Sequence, residues 1–245
     1  MDTYFLSHRG SPMLAVDDTI PGLLRIVAAG RGDEEARPRA IPILVVSAHW
    51  ETAAPAVSVV RGSNGTIHDF YGFPAPMYQL KYPAPGAREL AKRTKVLLEQ
   101  AGLGPVEEDH GAWVPLMLMY PAADIPVCQL YVQPGRDEAH HHAVGRALAP
   151  LREEGVLRHA QPAPEGHPPL AAAEFDAWLH GALLGGRYDD AVRGDGADMA
   201  TEHLYPLHVA LGAANANGGA VRAELIHHSW TGSLSYASYK FTTTS

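Results

Sequence analysis

The stretch Ile41-Pro42-Ile43-Leu44-Val45-Val46-Ser47-Ala48-His49-Trp50 decides the fold class. Its aliphatic, largely β-branched run suits a strand buried on both faces, the kind found in parallel sheets covered by helices. The run stops at Ser47-Ala48 and leaves His49 just beyond its end. Near the N-terminus the pattern repeats in shorter form. Tyr4 to Leu6 is apolar and gives way to Ser7-His8-Arg9-Gly10-Ser11-Pro12, a strand running into a glycine-proline loop. Ala56 to Val60 and Val127 to Val132 are further strand expectations, and Ala223 to Ile226 with Ser233 to Phe241 reads as a closing pair.

Helical patterns alternate with these strands. Ile20 to Ala29 has Pro21 in its first turn, followed by a charged surface loop over Gly30 to Arg39. Ala87 to Ala101 carries an apolar stripe closed by Gly102. Further helices are expected from Asp109 to about Tyr120, Asp137 to Glu153, Ala171 to Leu184 and Glu202 to Ala214. Gly185 to Asp198 reads as a polar loop, and residues 158–169, rich in proline, as a break in the pattern. This alternation predicts an α/β fold, a single catalytic domain over residues 1–245 with a central, mostly parallel or mixed sheet flanked by helices.

Composition removes whole classes of function. A hydrophobic fraction of 46% in 245 residues supplies a real core, so disorder is excluded. The net charge of −8 argues against nonspecific binding to nucleic acid or anionic membranes. No apolar run reaches the roughly 18 residues a bilayer span needs. The opening MDTYFLSHRGSP lacks the basic and apolar regions of a signal peptide, so a cytoplasmic location is expected. Cys128, the one cysteine, falls in an apolar strand and reads as a small buried hydrophobe rather than a nucleophile.

Histidine is the unusual residue, with 14 copies. In open α/β sheets, ligands bind in the crevice beyond the carboxyl ends of the strands. His8 and His49 both occupy that position, and if their strands are near neighbours their imidazoles converge on one crevice. His203, after Glu202, precedes an apolar helix, where it is either a helix-start residue or a third ligand. His110, in Asp109-His110-Gly111, is either a solvated cap or an acid/base group. His140-His141-His142 reads as a solvated cluster on a surface helix, since i and i+2 do not share a face. The chain has no H-E-x-x-H, C-x-x-C, G-x-S-x-G or phosphate-loop signature.

Several ordered stretches resemble the class III extradiol dioxygenases, specifically the DOPA dioxygenase group of the LigB-like superfamily. They are Ser47-Ala48-His49-Trp50, Thr66-Ile67-His68-Asp69-Phe70-Tyr71-Gly72-Phe73-Pro74, Tyr82-Pro83-Ala84-Pro85-Gly86, Asp109-His110-Gly111-Ala112-Trp113, Met119 to Pro126, and Glu202-His203-Leu204-Tyr205-Pro206-Leu207. The resemblance implies His8, His49 and His203 as metal histidines, with His167 a fourth that ligates or serves as acid/base. It implies His110 as a second active-site histidine lining the substrate pocket. It further implies Fe(II) for activity, with Zn(II) an alternative bound metal, and a small aromatic diol and O₂ as reactants. The aromatic loop Phe70 to Phe73, with Trp113 and Tyr205, is a candidate substrate wall. Two stretches depart from the family pattern: Arg9 separates His8 from Gly10, and residues 158–169 replace a Gly-Ser-Gly loop, with His159 competing with His167 for the fourth position. A zinc-dependent hydrolase and a non-catalytic metal- or peptide-binding member of the fold are the alternatives.

Overall fold

The structure is a computed structural model that describes residues 2–7, 42–66, 75–109, 116, 120, 122–154, 157–161, 169–193, 204–215, 220–231 and 234–244. The strands are β1 (Thr3–Phe5), β2 (Ile43–Glu51), β3 (Ala56–Ser58), β4 (Glu107–Asp109), β5 (Val127–Val132), β6 (Leu157–Gln161), β7 (Ala220–His227), β8 (Trp230–Thr231), β9 (Leu234–Ser235) and β10 (Ser238–Thr244). The α-helices are α1 (Arg88–Gln100), α2 (Glu138–Ala147), α3 (Pro150–Glu153), α4 (Pro169–Leu184), α5 (Tyr188–Arg193) and α6 (Tyr205–Asn215). Eight strands form one sheet in the order β4-β3-β5-β2-β6-β1-β10-β7, and β8 pairs with β9 in a small hairpin.

The sheet is mixed around a parallel centre. β5, β2, β6 and β1 run parallel, β3 and β4 oppose β5 on one side, and β10 opposes β1 and β7 on the other. Alternation along each central strand sends side chains to two layers. Leu44, Val46, Cys128, Leu130 and Val132 pack beneath α1, α2 and α6, whereas Tyr4, Leu6, Ile43, Val45 and Val127 meet Tyr82, Leu116 and Tyr120 on the opposite face. A third apolar cluster joins Phe5, Tyr239 and Phe241 to α4 and α6.

Local chemistry explains the element ends. Asp137 caps α2, its carboxylate accepting the His140 N–H at 2.8 Å. The single helix expected over Asp137 to Glu153 is instead two, α2 and α3. Pro150 has no N–H to continue the first helix and sits at the start of the second. The expected polar loop Gly185 to Asp198 contains α5, whose Asp189 and Asp190 in the first turn and Arg193 in the last complement the helix dipole. Beyond α1, Gly102 takes a left-handed φ of 74°, which terminates the helix at the expected place.

Two strands of the eight-stranded sheet fall where none is expected. β4 is an edge strand of Glu107, Glu108 and Asp109, a charged edge of the sort that discourages further pairing. β6 occupies the stretch read as a break in the pattern, yet it lies between β2 and β1 at the centre of the sheet. The helix expected over Ile20 to Ala29 and the loop over Gly30 to Arg39 lie outside the described residues. No described helix is long and apolar enough to cross a membrane.

Candidate active site

The four parallel strands end on one edge of the sheet, and in the sequence His8 follows β1 and His167 follows β6. β1 stops at Phe5, three residues before His8. β2 carries His49 near its own end. It stays in register with β5 and β6 up to Ser47, which pairs with both Tyr131 and Gln161. The next β2–β5 pair is Glu51 with Val132, so Ala48, His49 and Trp50 bulge out of the ladder. Bulges re-aim side chains and concentrate beside active sites. The strands carrying His8 and His49 are therefore not adjacent. β6 separates them, which puts them two strand spacings, about 10 Å, apart.

β6 bears on the competition between His159 and His167. His159 is an interior residue of the central ladder, in register with Val45 and Tyr4. His167 follows the strand end at Gln161, as His8 follows β1, and itself lies outside the described residues with His8, His110 and His203. The backbone of His49 is described, but its side chain is not. Residues 70–73 and Trp113 also lie outside. β4 runs opposite to β5, so the chain reaching His110 leaves the sheet in the direction opposite to the parallel centre.

The start of α6, two residues past His203, is fixed to this same edge by aromatic packing. Tyr205 stacks on His141 with ring centroids 3.9 Å apart and planes 6° from parallel. His141 lies in the first turn of α2, directly after β5. Trp50 in the β2 bulge packs edge-on against Tyr131 of β5, centroids 5.9 Å apart. The other end of α6 sits at the opposite edge, where the Ala214 carbonyl accepts from Arg152 and from Thr243, each at 3.2 Å. The helix thus runs back across the sheet from the edge where β2 ends, with its positive dipole end at that edge.

The histidine cluster on α2 is not the solvated group expected. His141 is only 2% exposed. Its Nδ1–H donates to the Asp137 carbonyl at 2.8 Å and its Nε2 accepts the Gln133 N–H at 3.2 Å. Both bonds require the neutral ring, and burial lowers its pKa to about 4. His140 Nε2 contacts Gln133 Oε1 at 2.7 Å. Helix α2 lies against α6 rather than facing water, so the middle histidine of the three turns inward. Tyr205, a candidate substrate wall, is instead a core residue beneath this ring. Cys128 is buried as expected, and burial raises its thiol pKa.

The sequence reading missed a polar network at the end of β1. The Ser238 hydroxyl accepts the Ser7 N–H at 3.0 Å and donates to the Ser7 carbonyl at 3.2 Å. Ser7 Oγ donates to the Ser235 carbonyl at 3.4 Å, and the Ser235 hydroxyl donates to Asp176. Asp176 also faces His228 Nε2 at 3.0 Å. The only sequence signal was the serine spacing in Leu234-Ser235-Tyr236-Ala237-Ser238, which carries no chemistry by itself. Among the described residues no group of three His, Cys, Asp or Glu side chains is arranged to hold a metal.

Comparison with known proteins agrees with this architecture. Residues 3–239 match the family described as the catalytic LigB subunit of aromatic ring-opening dioxygenase. A 4,5-DOPA dioxygenase extradiol of Beta vulgaris is 48% identical over 99% of this chain and 97% of its own length. One from Portulaca grandiflora is 46% identical over 98% and 96% respectively. The crystal structure of an uncharacterized Escherichia coli K12 protein superposes with a TM-score of 0.73 at 28% identity, covering 98% of this chain and 99% of that one. The chain belongs to the LigB family of metal-dependent aromatic ring-opening dioxygenases, and its activity is extradiol ring cleavage.

Proposed function

We propose that this chain is one catalytic domain that opens the ring of a DOPA-like catechol with O₂, using Fe(II) held by His8, His49 and His203. His167 is the fourth histidine of the site, as ligand or acid/base, and His110 lines the substrate pocket. The observation that carries the reading is the shared edge. The chain reaches His8 from β1, His49 lies in the bulge ending β2, and His203 precedes an α6 whose start is stacked on His141 at that same edge. The donor chemistry fits the metal. Neutral imidazoles suit divalent iron, and three protein ligands leave positions open. When bound, Fe(II) supplies redox chemistry with O₂ and vacant positions for the two adjacent oxygens of a catechol.

The protein's own work is to orient and to move protons. A histidine with a pKa near neutrality takes the proton from a catechol hydroxyl and returns one later in the reaction. His110 and His167 are the residues assigned that role. Trp50 and Tyr131, packed edge-on, put apolar surface beside the bulge that carries His49. The relatives named for DOPA cleavage support an aromatic diol bearing an amino-acid side chain as substrate. A cytoplasmic location fits the single buried cysteine.

The deciding experiment is anaerobic Fe(II) reconstitution followed by air, with DOPA and simple catechols supplied. Oxygen uptake and a yellow ring-opened product are expected, both lost in His49→Ala. A fully Fe(II)-loaded protein that consumes no O₂ with any catechol of a broad panel would refute the proposal.

A further inference from the structure

The last residues of β1 are held by a side chain where a main-chain ladder would be expected. β1 pairs with β10 from Thr3 opposite Phe241 to Phe5 opposite Tyr239. Continuing the same register would set Ser7 opposite Ala237, but the pairing stops at Phe5. Both the N–H and the carbonyl of Ser7 go instead to the hydroxyl of Ser238. One hydroxyl thus replaces the donor and acceptor that a partner residue's backbone would offer. The β10–β7 register also shifts between Ser238 and Tyr239, which marks this corner as built away from regular pairing.

We propose that Ser238 is a positioning residue for the metal site, fixing the main chain of Ser7 from which His8 departs. The proposal rests on the reading of His8 as a ligand. β1 is only three residues long, and a strand so short frays unless its end is tied. Metal–nitrogen distances tolerate errors of only about 0.2 Å, so a loose backbone one residue before a ligand costs affinity directly. Ser238 is fully buried. Its own position is set from behind: the Ser235 hydroxyl reaches Asp176 on α4, and the Tyr236 N–H donates to the Ser229 carbonyl at 2.8 Å. The clamp is therefore anchored to a helix and to the β8–β9 hairpin rather than to the segment it restrains.

Cobalt(II) is the probe, titrated into the full apo chain and read by its d–d absorption and by competition with a chelator. Wild-type protein is expected to bind Co(II), and His49→Ala to lose it. Ser238→Ala should bind ~10- to 100-fold more weakly with shifted bands, as outer-shell substitutions do. Ser238→Thr, which keeps the hydroxyl, should recover most of the affinity. Leu98→Ala, a destabilising cavity in α1, should leave Co(II) affinity within about twofold, because α1 holds neither Ser7 nor the start of α6. A Ser238→Ala protein with wild-type affinity and bands overturns the proposal, as does a loss no larger than that of Leu98→Ala. If Ser238→Ala fails to fold, amide exchange in wild-type apo protein decides: slow exchange at Ser7 supports the clamp, and exchange at the unprotected rate overturns it. Co(II) binding that survives His49→Ala overturns the metal-site reading and this inference with it. Binding lost in His49→Ala but intact in Ser238→Ala overturns the role of Ser238 alone.

Discussion

Gly212→Ala tests the packing that holds α6, and therefore the start of that helix, against the sheet. The helices α2 and α6 touch through a pair of glycines. A Cβ on Gly212 would lie 2.1 Å from the His142 carbonyl oxygen and 3.1 Å from the Arg146 nitrogen. A Cβ on Gly145 would lie 2.1 Å from the Val209 carbonyl oxygen and 2.8 Å from the Ala213 nitrogen. Every obstacle is backbone, so no rotamer change relieves the clash. The helices must part by roughly 1 Å, which forfeits about a quarter to a half of the dispersion energy of the atoms in contact. Overpacking of this kind costs about 1–3 kcal/mol. Alanine recovers about 1 kcal/mol through its better helix propensity. Because the barrier is backbone, the upper part of the cost range applies, leaving a net loss of about 1–2 kcal/mol and a Tm lower by roughly 2–8 °C. Thermal unfolding followed by circular dichroism measures it, with Gly135→Ala as the control, since a Cβ there meets nothing within 4 Å. The double variant Gly145→Ala/Gly212→Ala should be less than additive, because one separation relieves both clashes. A Gly212→Ala protein as stable as wild type, or more so, would refute the reasoning.

The remaining predictions concern protons, the thiol and the metal. Burial lowers the pKa of His141 and of His208 to about 4. The unfolded chain then binds more protons between pH 4 and 6.5, so stability is full above 6.5, falls as pH drops through that window, and levels off below 4; urea melts from pH 7.5 to 4.5 should show this slope. His208 Nε2–H donates to the Ala191 carbonyl at 3.3 Å, while its Nδ1 has no partner among the described residues. His208→Leu should therefore cost less than about 1.5 kcal/mol at pH 7.5 and be relatively stabilising at pH 5, flattening the slope, and an unchanged slope would contradict the assignment. Cys128, buried in the central sheet, should resist iodoacetamide in the native protein and react fully in denaturant, as mass spectrometry of the alkylated chain will tell. Chelation should abolish O₂ uptake, and added Fe(II) should restore it where Zn(II), which has no redox chemistry, does not.

Much of the fold was legible because its signals are one-dimensional. The aliphatic run ending at Val46 and the stretch Val127 to Val132 could hardly be anything but buried strands, and α1 carried its stripe and its glycine stop. β6 was hidden for a physical reason. Leu157-Arg158-His159-Ala160-Gln161 lacks the continuous aliphatic character usual in a central parallel strand, and its neighbours rather than its propensity set its conformation. His141 was hidden differently. Periodicity could place three successive histidines on a helix, but not reveal that α6 would cover the middle one. Places after strands and before helices singled out His8, His49, His203 and His110, whereas their roles, and His167 altogether, came from the resemblance to the extradiol dioxygenases. The Ser7–Ser238 clamp joins residues 231 positions apart and leaves no local signature.

The insertion of β6 between the two histidine-bearing strands carries the argument about the site furthest. Had β1 and β2 been neighbours, a metal between His8 and His49 would have stood over a continuous ladder. With β6 between them, the chain leaves β1 at Phe5, level with Ala160 of β6, while β2 keeps register with β6 as far as Ser47 opposite Gln161 and then runs through its bulge to Glu51. In the sequence Pro162 and Pro164 follow Gln161, and proline offers no N–H to a ladder. The stretch read as a break in the pattern is thus a central strand followed by a proline-rich segment that carries His167. The proposed site accordingly draws its histidines from three neighbouring strands: His49 from the end of β2, and His8 and His167 from the segments that follow β1 and β6.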